Sequence, residues 1–291
     1  LFPRIFYPSR PLSFASAGIP ILYHRTMATT ADFQGKWALI TGASSGIGTA
    51  LARELAAHGA KLILTARRLD RLQALAAEFA AKGTETRIVV ADLNDPAAPQ
   101  QVFAATEGAG LVVDILINNA GLGQYGAFVA GDAAQVQSMV RVNCEAMVGL
   151  SRLFLPRMVE RRRGWMLVLG SNASFQPVPY LSTYAATKAF DRFFALGVAA
   201  EVAQFGVKVS ALCPGTTESE FFEVSNASKF RGRDLQSAEE VARIGIEGLA
   251  RGRRTILPKV DSKITAFAVR FLPVSLITHF IEKWARPSQT E

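Results

Sequence analysis

Tyr184 and Lys188 stand four residues apart in a stretch patterned as a helix, Ser182 to Gln204, so their side chains share one face. An ammonium beside a phenol favours the phenolate. The spacing therefore predicts a Tyr184 pKa drawn down from about 10 toward neutral pH. Such a tyrosine gives a proton to a carbonyl oxygen or takes one from an alcohol. Ser171 stands 13 residues upstream, just after an apolar run read as a strand, where its hydroxyl can hold the substrate oxygen beside Tyr184. A Tyr-x-x-x-Lys pair recurs by chance, so its weight comes from what surrounds it.

A second constellation lies near the start. Thr41-Gly42-Ala43-Ser44-Ser45-Gly46-Ile47-Gly48 ends the first apolar run and opens a helix. A tight strand-to-helix turn points backbone N–H groups at a pyrophosphate, and glycines let the ligand approach. The spacing is Gly-x-x-x-Gly-x-Gly rather than the commoner Gly-x-Gly-x-x-Gly. Asp92, followed by Leu93 at the end of the third strand, either accepts from an adenine amino group or caps the helix near Asp95. Asn118-Asn119-Ala120-Gly121 closes the fourth strand, either at a ligand crevice or as a plain Asn/Gly turn. The second strand ends in Thr65-Ala66-Arg67-Arg68, without the carboxylate that would hold a ribose 2′-hydroxyl. An arginine there forks onto a 2′-phosphate; alternatively, Arg67 and Arg68 only begin a solvated helix. The site is read as one for NADP(H) in preference to NAD(H).

These residues need a sheet to position them. From Lys36 onward, short apolar runs alternate with helical patterns: strands near Trp37–Ile40, Lys61–Thr65, Thr86–Ala91, Asp114–Ile117, Gly164–Gly170, Gly206–Cys213 and Arg254–Leu257. The helices between them include one long stretch from Ala133 to Glu160, with a break expected near Pro156. This alternation predicts an α/β fold: a single Rossmann-type, doubly wound parallel sheet of about seven strands with helices on both faces. Residues 31–291 read as one domain behind an N-terminal extension, 1–30. The first 26 residues carry Arg4, Arg10 and Arg25 and no acidic residue, which fits an organelle transit peptide; the preferred reading makes Met27 the start and the protein cytoplasmic.

The whole set stands in an order and spacing that resembles the short-chain dehydrogenase/reductase family: Gly42, Gly46 and Gly48, Asp92, Asn118 to Gly121, Asn143, Ser171, Tyr184, Lys188 and Pro214-Gly215, over residues 33 to 258. It is closest in character to 3-oxoacyl reductase and hydroxysteroid dehydrogenase-like members. The resemblance implies that Ser171 orients a substrate carbonyl and Tyr184 protonates it. It implies that Lys188 binds the nicotinamide ribose and lowers the Tyr184 pKa. Asn143 would hold a water linking Lys188 to solvent, through a local break in the long helix. Asn118 would border the adenine-ribose pocket. Pro214-Gly215 would cover the nicotinamide, with Thr217 beside them and Ser219 where the family often has Thr. The implied activity is hydride transfer between NADP(H) and a ketone or aldehyde, or the reverse from an alcohol, with no metal. The alternative is a non-catalytic NADP(H)-binding regulator on the same fold.

Composition narrows the partners. Cys144 and Cys213 have no second Cys or His at metal-ligand spacing and read as reduced, largely buried thiols. The net charge is +8, yet no aromatic-interleaved basic stripe points to nucleic acid. No apolar run reaches transmembrane length. Ile264 to Trp284 is amphipathic, so peripheral membrane contact is one reading, and closure of the pocket or a subunit contact the other. Phe175, Tyr180, Phe221 and Phe222 are candidate linings for an apolar substrate. Phe190, Phe193, Phe194, Leu196 and Val198 crowd one helix, so a homodimer or homotetramer is expected.

Overall fold

The computed structural model describes residues 30–227 and 235–287. The expectations for the first 26 residues and for Met27 fall outside these. Strands β1 (Trp37–Thr41), β2 (Lys61–Ala66), β3 (Thr86–Val90), β4 (Val113–Asn118), β5 (Gly164–Leu169), β6 (Val207–Leu212) and β7 (Thr255–Ile256) form one sheet in the order β3-β2-β1-β4-β5-β6-β7. Every neighbouring pair is parallel, as the alternating pattern predicts. The strand order reverses between β1 and β4. Connections leave in opposite directions there, which opens a crevice at the strands' C-terminal ends.

Helices cover both faces: α1 (Gly46–Ala57), α2 (Leu69–Ala81) and α8 (Ala238–Ala250) on one, and α3 (Ala98–Ala104), α5 (Ala146–Glu160) and α6 (Ser182–Val202) on the other. Successive strand residues point to opposite faces, and both faces are apolar. Ile40, Leu62, Leu64, Ile115 and Ile117 join one core with Leu51, Leu55 and Ile246. Leu39, Ile63 and Leu116 join the other with Leu150, Phe154 and Met158. Each such side chain contributes about 1.5–3 kcal/mol when fully buried, so the strand ends that carry the site sit on a stiff platform.

The long helical stretch departs from expectation. It does not break at Pro156, which lies inside α5. Phe154, Leu155 and Met158 are buried around it, and that packing holds the helix through the hydrogen bond proline cannot donate. The interruption comes earlier, at Asn143, where the resemblance implies a local break. α4 (Ala133–Val140) passes into α5 through a π-helical turn, Arg141–Glu145, with Asn143 at its centre. A short α7 (Phe221–Val224) follows β6, and the chain ends in α9 (Val260–Ala268) and α10 (Val274–Ala285), separated at Pro273. Among the described residues, no helix is long and apolar enough to cross a membrane.

Candidate active site

A cavity of about 570 Å³ opens along the crevice. The glycine turn forms one end. A Cβ on Gly48 would stand 2.2 Å from the Gly42 carbonyl oxygen, so the helix could not start so close to the strand with any side chain there. Gly42, Ser44, Ser45, Gly46 and Ile47 line this end with Gly48, and Ser219 stands over Gly46. Thr41 ties the neighbouring loop down: its hydroxyl accepts from the Asn119 and Ala120 N–H groups and donates to the Ile117 carbonyl. Asn119 returns its amide to the Thr41 and Gly42 carbonyls.

The two arginines differ. Arg68 reaches across the turn, donating to the Ser44 and Ser45 hydroxyls at 3.1 and 3.0 Å and pairing with Glu220 at 3.1 Å. Arg67 stands exposed at the rim. Both line the cavity, as do Asp92, Leu93, Asn119, Ala120 and Gly121. Asp92 borders the cavity and accepts from the Asn94 N–H at 3.0 Å in a turn ahead of α3, so it does not cap that helix. The Oδ1 atom of Asn119 and the Thr65 hydroxyl are buried without a protein partner. A dinucleotide fits here on these grounds: a cradle that a Cβ would fill, arginines at its rim and unsatisfied polar atoms on its wall.

At the other end stand Ser171 and Tyr184. Ser171 caps the 3₁₀ turn Asn172–Phe175, its hydroxyl accepting from the Ala173 N–H at 3.1 Å, while the Ser174 hydroxyl accepts from the Ser171 N–H at 3.0 Å. This geometry makes Ser171 the cavity-lining hydroxyl and Ser174 its support. The Tyr184 ring packs on Phe221 at 5.0 Å between centroids. Burial pushes the Tyr184 phenol above its ordinary pKa; Lys188 and the hydrogen bond with Ser171 pull down without overcoming it. The expected downward shift is therefore corrected. The sequence shows the lysine but not the depth at which the phenol sits. At neutral pH Tyr184 is a protonated donor.

Lys188 and Asn143 stand behind the cavity wall rather than in it. The Lys188 ammonium donates to the Leu169 carbonyl at 2.7 Å and to Asp191 Oδ2 at 3.0 Å. Burial draws the Lys188 pKa down, but the Asp191 carboxylate and Tyr184 outweigh it and leave the group above lysine's ordinary value. These two contacts use two of the ammonium's three donors. Asn143 accepts from the Leu122 N–H at 2.8 Å and donates to the Leu122 carbonyl at 3.0 Å and the Thr187 hydroxyl at 2.9 Å. Asn118, implied for the adenine-ribose border, is buried away from the cavity and bonds Ser151.

Pro214, Gly215, Thr217 and Ser219 line the roof, as the resemblance implies. Of the four aromatic candidates, Phe221 and Phe222 line the cavity. Phe175 instead packs under the Arg192 guanidinium at 4.3 Å, and Tyr180 turns its hydroxyl to Glu282 at 3.2 Å. Their neighbours in sequence gave no sign of these competing partners. Asp191 was missed, though its spacing from Lys188 puts it on the same helix turn. Thr265, Ile281 and Trp284 bring α9 and α10 to the cavity, in line with the reading of Ile264 to Trp284 as a segment that closes the pocket. Cys144 is partly buried and Cys213 buried, and burial pushes both thiols up to about 12.

Residues 36–229 match the short chain dehydrogenase family. The chain belongs to it. As a short-chain dehydrogenase it is an oxidoreductase that interconverts a carbonyl and an alcohol with a nicotinamide dinucleotide. Among its relatives is a very-long-chain 3-oxoacyl-CoA reductase of Anas platyrhynchos, 31% identical over 86% of this chain and 80% of the relative. The chain spans 53% to 62% of four further very-long-chain 3-oxoacyl-CoA reductases it matches. Similar solved structures include a short-chain dehydrogenase from Sphingobium yanoikuyae in complex with NADPH, with 30% identity and TM-score 0.74, covering 88% of this chain and 98% of that one. Another, from Burkholderia phymatum in complex with NAD, has 26% identity and TM-score 0.74, covering 81% and 92%.

Proposed function

We propose that this short-chain dehydrogenase reduces an apolar ketone of the 3-oxoacyl type with NADPH, Tyr184 giving the proton. The observation that carries this is one cavity lined by Ser171 and by Tyr184, whose ring packs on the apolar Phe221 wall, at one end and by the glycine turn and its arginines at the other. The dinucleotide, when bound, supplies two electrons to the carbonyl carbon. The chain supplies the rest. The glycine turn and Arg67 would hold the dinucleotide's phosphates. Ser171 fixes the carbonyl oxygen beside the phenol. Tyr184 passes its proton to that oxygen as negative charge builds there, and the buried Lys188 ammonium stabilises the tyrosinate that remains.

The relatives' 3-oxoacyl-CoA substrates and the phenylalanine wall both support an apolar acyl chain. NADPH oxidation measured against 3-oxoacyl thioesters of rising chain length, steroid ketones and small aldehydes tests the class. Tyr184→Phe is expected to abolish most turnover, by about 10²–10⁴-fold, and leave NADPH affinity within a factor of two or so. Near-normal rates in that variant end the assignment, and NADPH binding without turnover on any carbonyl favours the regulator reading.

A further inference from the structure

The outermost two helices are built inside out. On α9 and the turn after it, Val260, Ile264, Phe267 and Phe271 follow at steps of four, three and four, so they form one stripe, and each is 63% to 72% exposed. The opposite face of α9 buries only Ser262 and Ala266. On α10, Leu276, Phe280 and Trp284 repeat every four residues and are also exposed, while Ile277 and Ala285 face inward. A water-facing stripe of this size on consecutive helices marks a contact surface.

The charges say what it contacts. Lys263 and Arg270 border the first stripe and Lys283 the second, all exposed. Of the carboxylates on these helices, Asp261 lies 3.8 Å from Lys259 and Glu282 lies 2.7 Å from Arg286, so each is already met by a cation. Aromatic and aliphatic side chains flanked by cations match an anionic lipid surface. A second copy of the chain docked through this face would gather these cations into one contact whose own carboxylates are already met. The surface also joins the cavity: Thr265 from α9 and Ile281 and Trp284 from α10 line it.

We propose that α9 and α10 dock on an anionic bilayer and set the cavity mouth at its surface. An apolar substrate dissolved in the bilayer then reaches the cavity without crossing water. That last step rests on the substrate class proposed above; the docking does not.

Co-sedimentation of the 291-residue chain with phosphatidylcholine vesicles, with and without phosphatidylserine, tests the docking. The chain is expected to partition onto the anionic vesicles and only weakly onto the neutral ones. Lys263→Gln with Arg270→Gln is expected to weaken anionic partitioning about fivefold for each cation removed. Phe267→Ser with Phe271→Ser is expected to weaken it by at least about tenfold. None of these four residues lines the cavity, so NADPH affinity reports that each variant is folded. Three results overturn the proposal. The first is no sedimentation of the unaltered chain. The second is sedimentation equal in the variants, which places binding elsewhere. The third is light scattering in which the phenylalanine variant turns a dimer into a monomer, which makes the stripe a contact between copies. Vesicle binding without turnover of any apolar ketone would overturn the proposed substrate and leave the docking standing.

Discussion

Asp191→Asn removes a charge and almost nothing else. Lys188 and Asp191 are 4% and 2% exposed at the side chain and 3.0 Å apart, so water does not screen the pair. Stranding one partner of a buried ion pair costs about 3–5 kcal/mol, and the Asn carbonyl can still accept from the ammonium, which returns about 1.5–3. The net loss is about 2 kcal/mol, or a fall of roughly 4–8 °C in Tm for a domain of this size. The two partners' shifts oppose: Lys188 sits above its ordinary value, so its part is fully present below lysine's unfolded pKa and is lost as pH rises through the folded one, while burial holds Asp191 above its own value despite Lys188 and offsets part of that gain above the carboxylate range. The stability gap between the two proteins is therefore flat through neutral pH and narrows in strong alkali. Chemistry supplies a second readout. Asp191 pushes the Tyr184 phenol up, so its neutralisation lets Lys188 pull that phenol down. The rising limb of kcat/KM against pH for alcohol oxidation is expected to move to lower pH, by about one unit for each 1.4 kcal/mol of lost opposition. Thermal melts and that pH profile, taken on the same preparations, decide the matter. An unchanged melt with an unmoved limb would refute the reasoning, because a buried charge cannot vanish without either consequence.

Arg67→Asp is expected to weaken NADPH binding by about 1–3 kcal/mol and NADH far less, since only NADPH carries the 2′-phosphate; equal affinities for both cofactors in the unaltered protein end this idea. Glu78 receives hydrogen bonds from Arg53 at 2.8 Å and Lys82 at 2.9 Å, and the first of these chiefly lowers its pKa from 4.5 to about 2. A lowered carboxylate stabilises above its unfolded pKa and loses that contribution as pH falls through the folded one. Glu78→Gln should thus cost about 0.5–1 kcal/mol near pH 7, with the gap closing between 4.5 and about 2 in acid denaturation. On α6, Phe190 and Phe193 are exposed beside Ala186, Gly197 and Ala200 on one face. A homodimer or homotetramer through this face predicts that Phe193→Glu lowers the mass seen by light scattering, and a single-chain mass before mutation refutes it.

The sheet was legible because its strands are apolar on both faces: runs such as Leu62-Ile63-Leu64 have no other stable home than a parallel sheet covered twice. The chemistry of the site was legible because Gly46, Ser171 and Tyr184 work through local spacing, turn then helix, which the chain writes in order. What stayed hidden depends on partners distant in sequence. Tyr180 reads as a cavity aromatic until Glu282, from α10, takes its hydroxyl. The Lys188 ammonium's partners, the Leu169 carbonyl and Asp191, are set by how β5 meets α6 and are not written beside Tyr184. The Tyr184 pKa depends on a sum of burial and charges from several elements, and no local pattern contains that sum. Pro156 misled for the same reason, since a proline's cost inside a helix is set by how firmly its neighbours are buried.

The Asn143 side chain has a consequence in time as well as in space. Leu122 belongs to the loop after β4, and loop amides ordinarily exchange their hydrogens quickly. This one donates to a buried oxygen at the centre of a π turn, and its carbonyl is held by the same side chain. Its exchange is therefore tied to opening of the helix rather than to fluctuation of the loop, and it should persist with the slow amides of the sheet. Asn119 to Leu122 are thereby held against the crevice at both ends, by Asn119 on the glycine turn and by Leu122 on the helix, so the floor on which a ligand would sit is fixed before the ligand arrives.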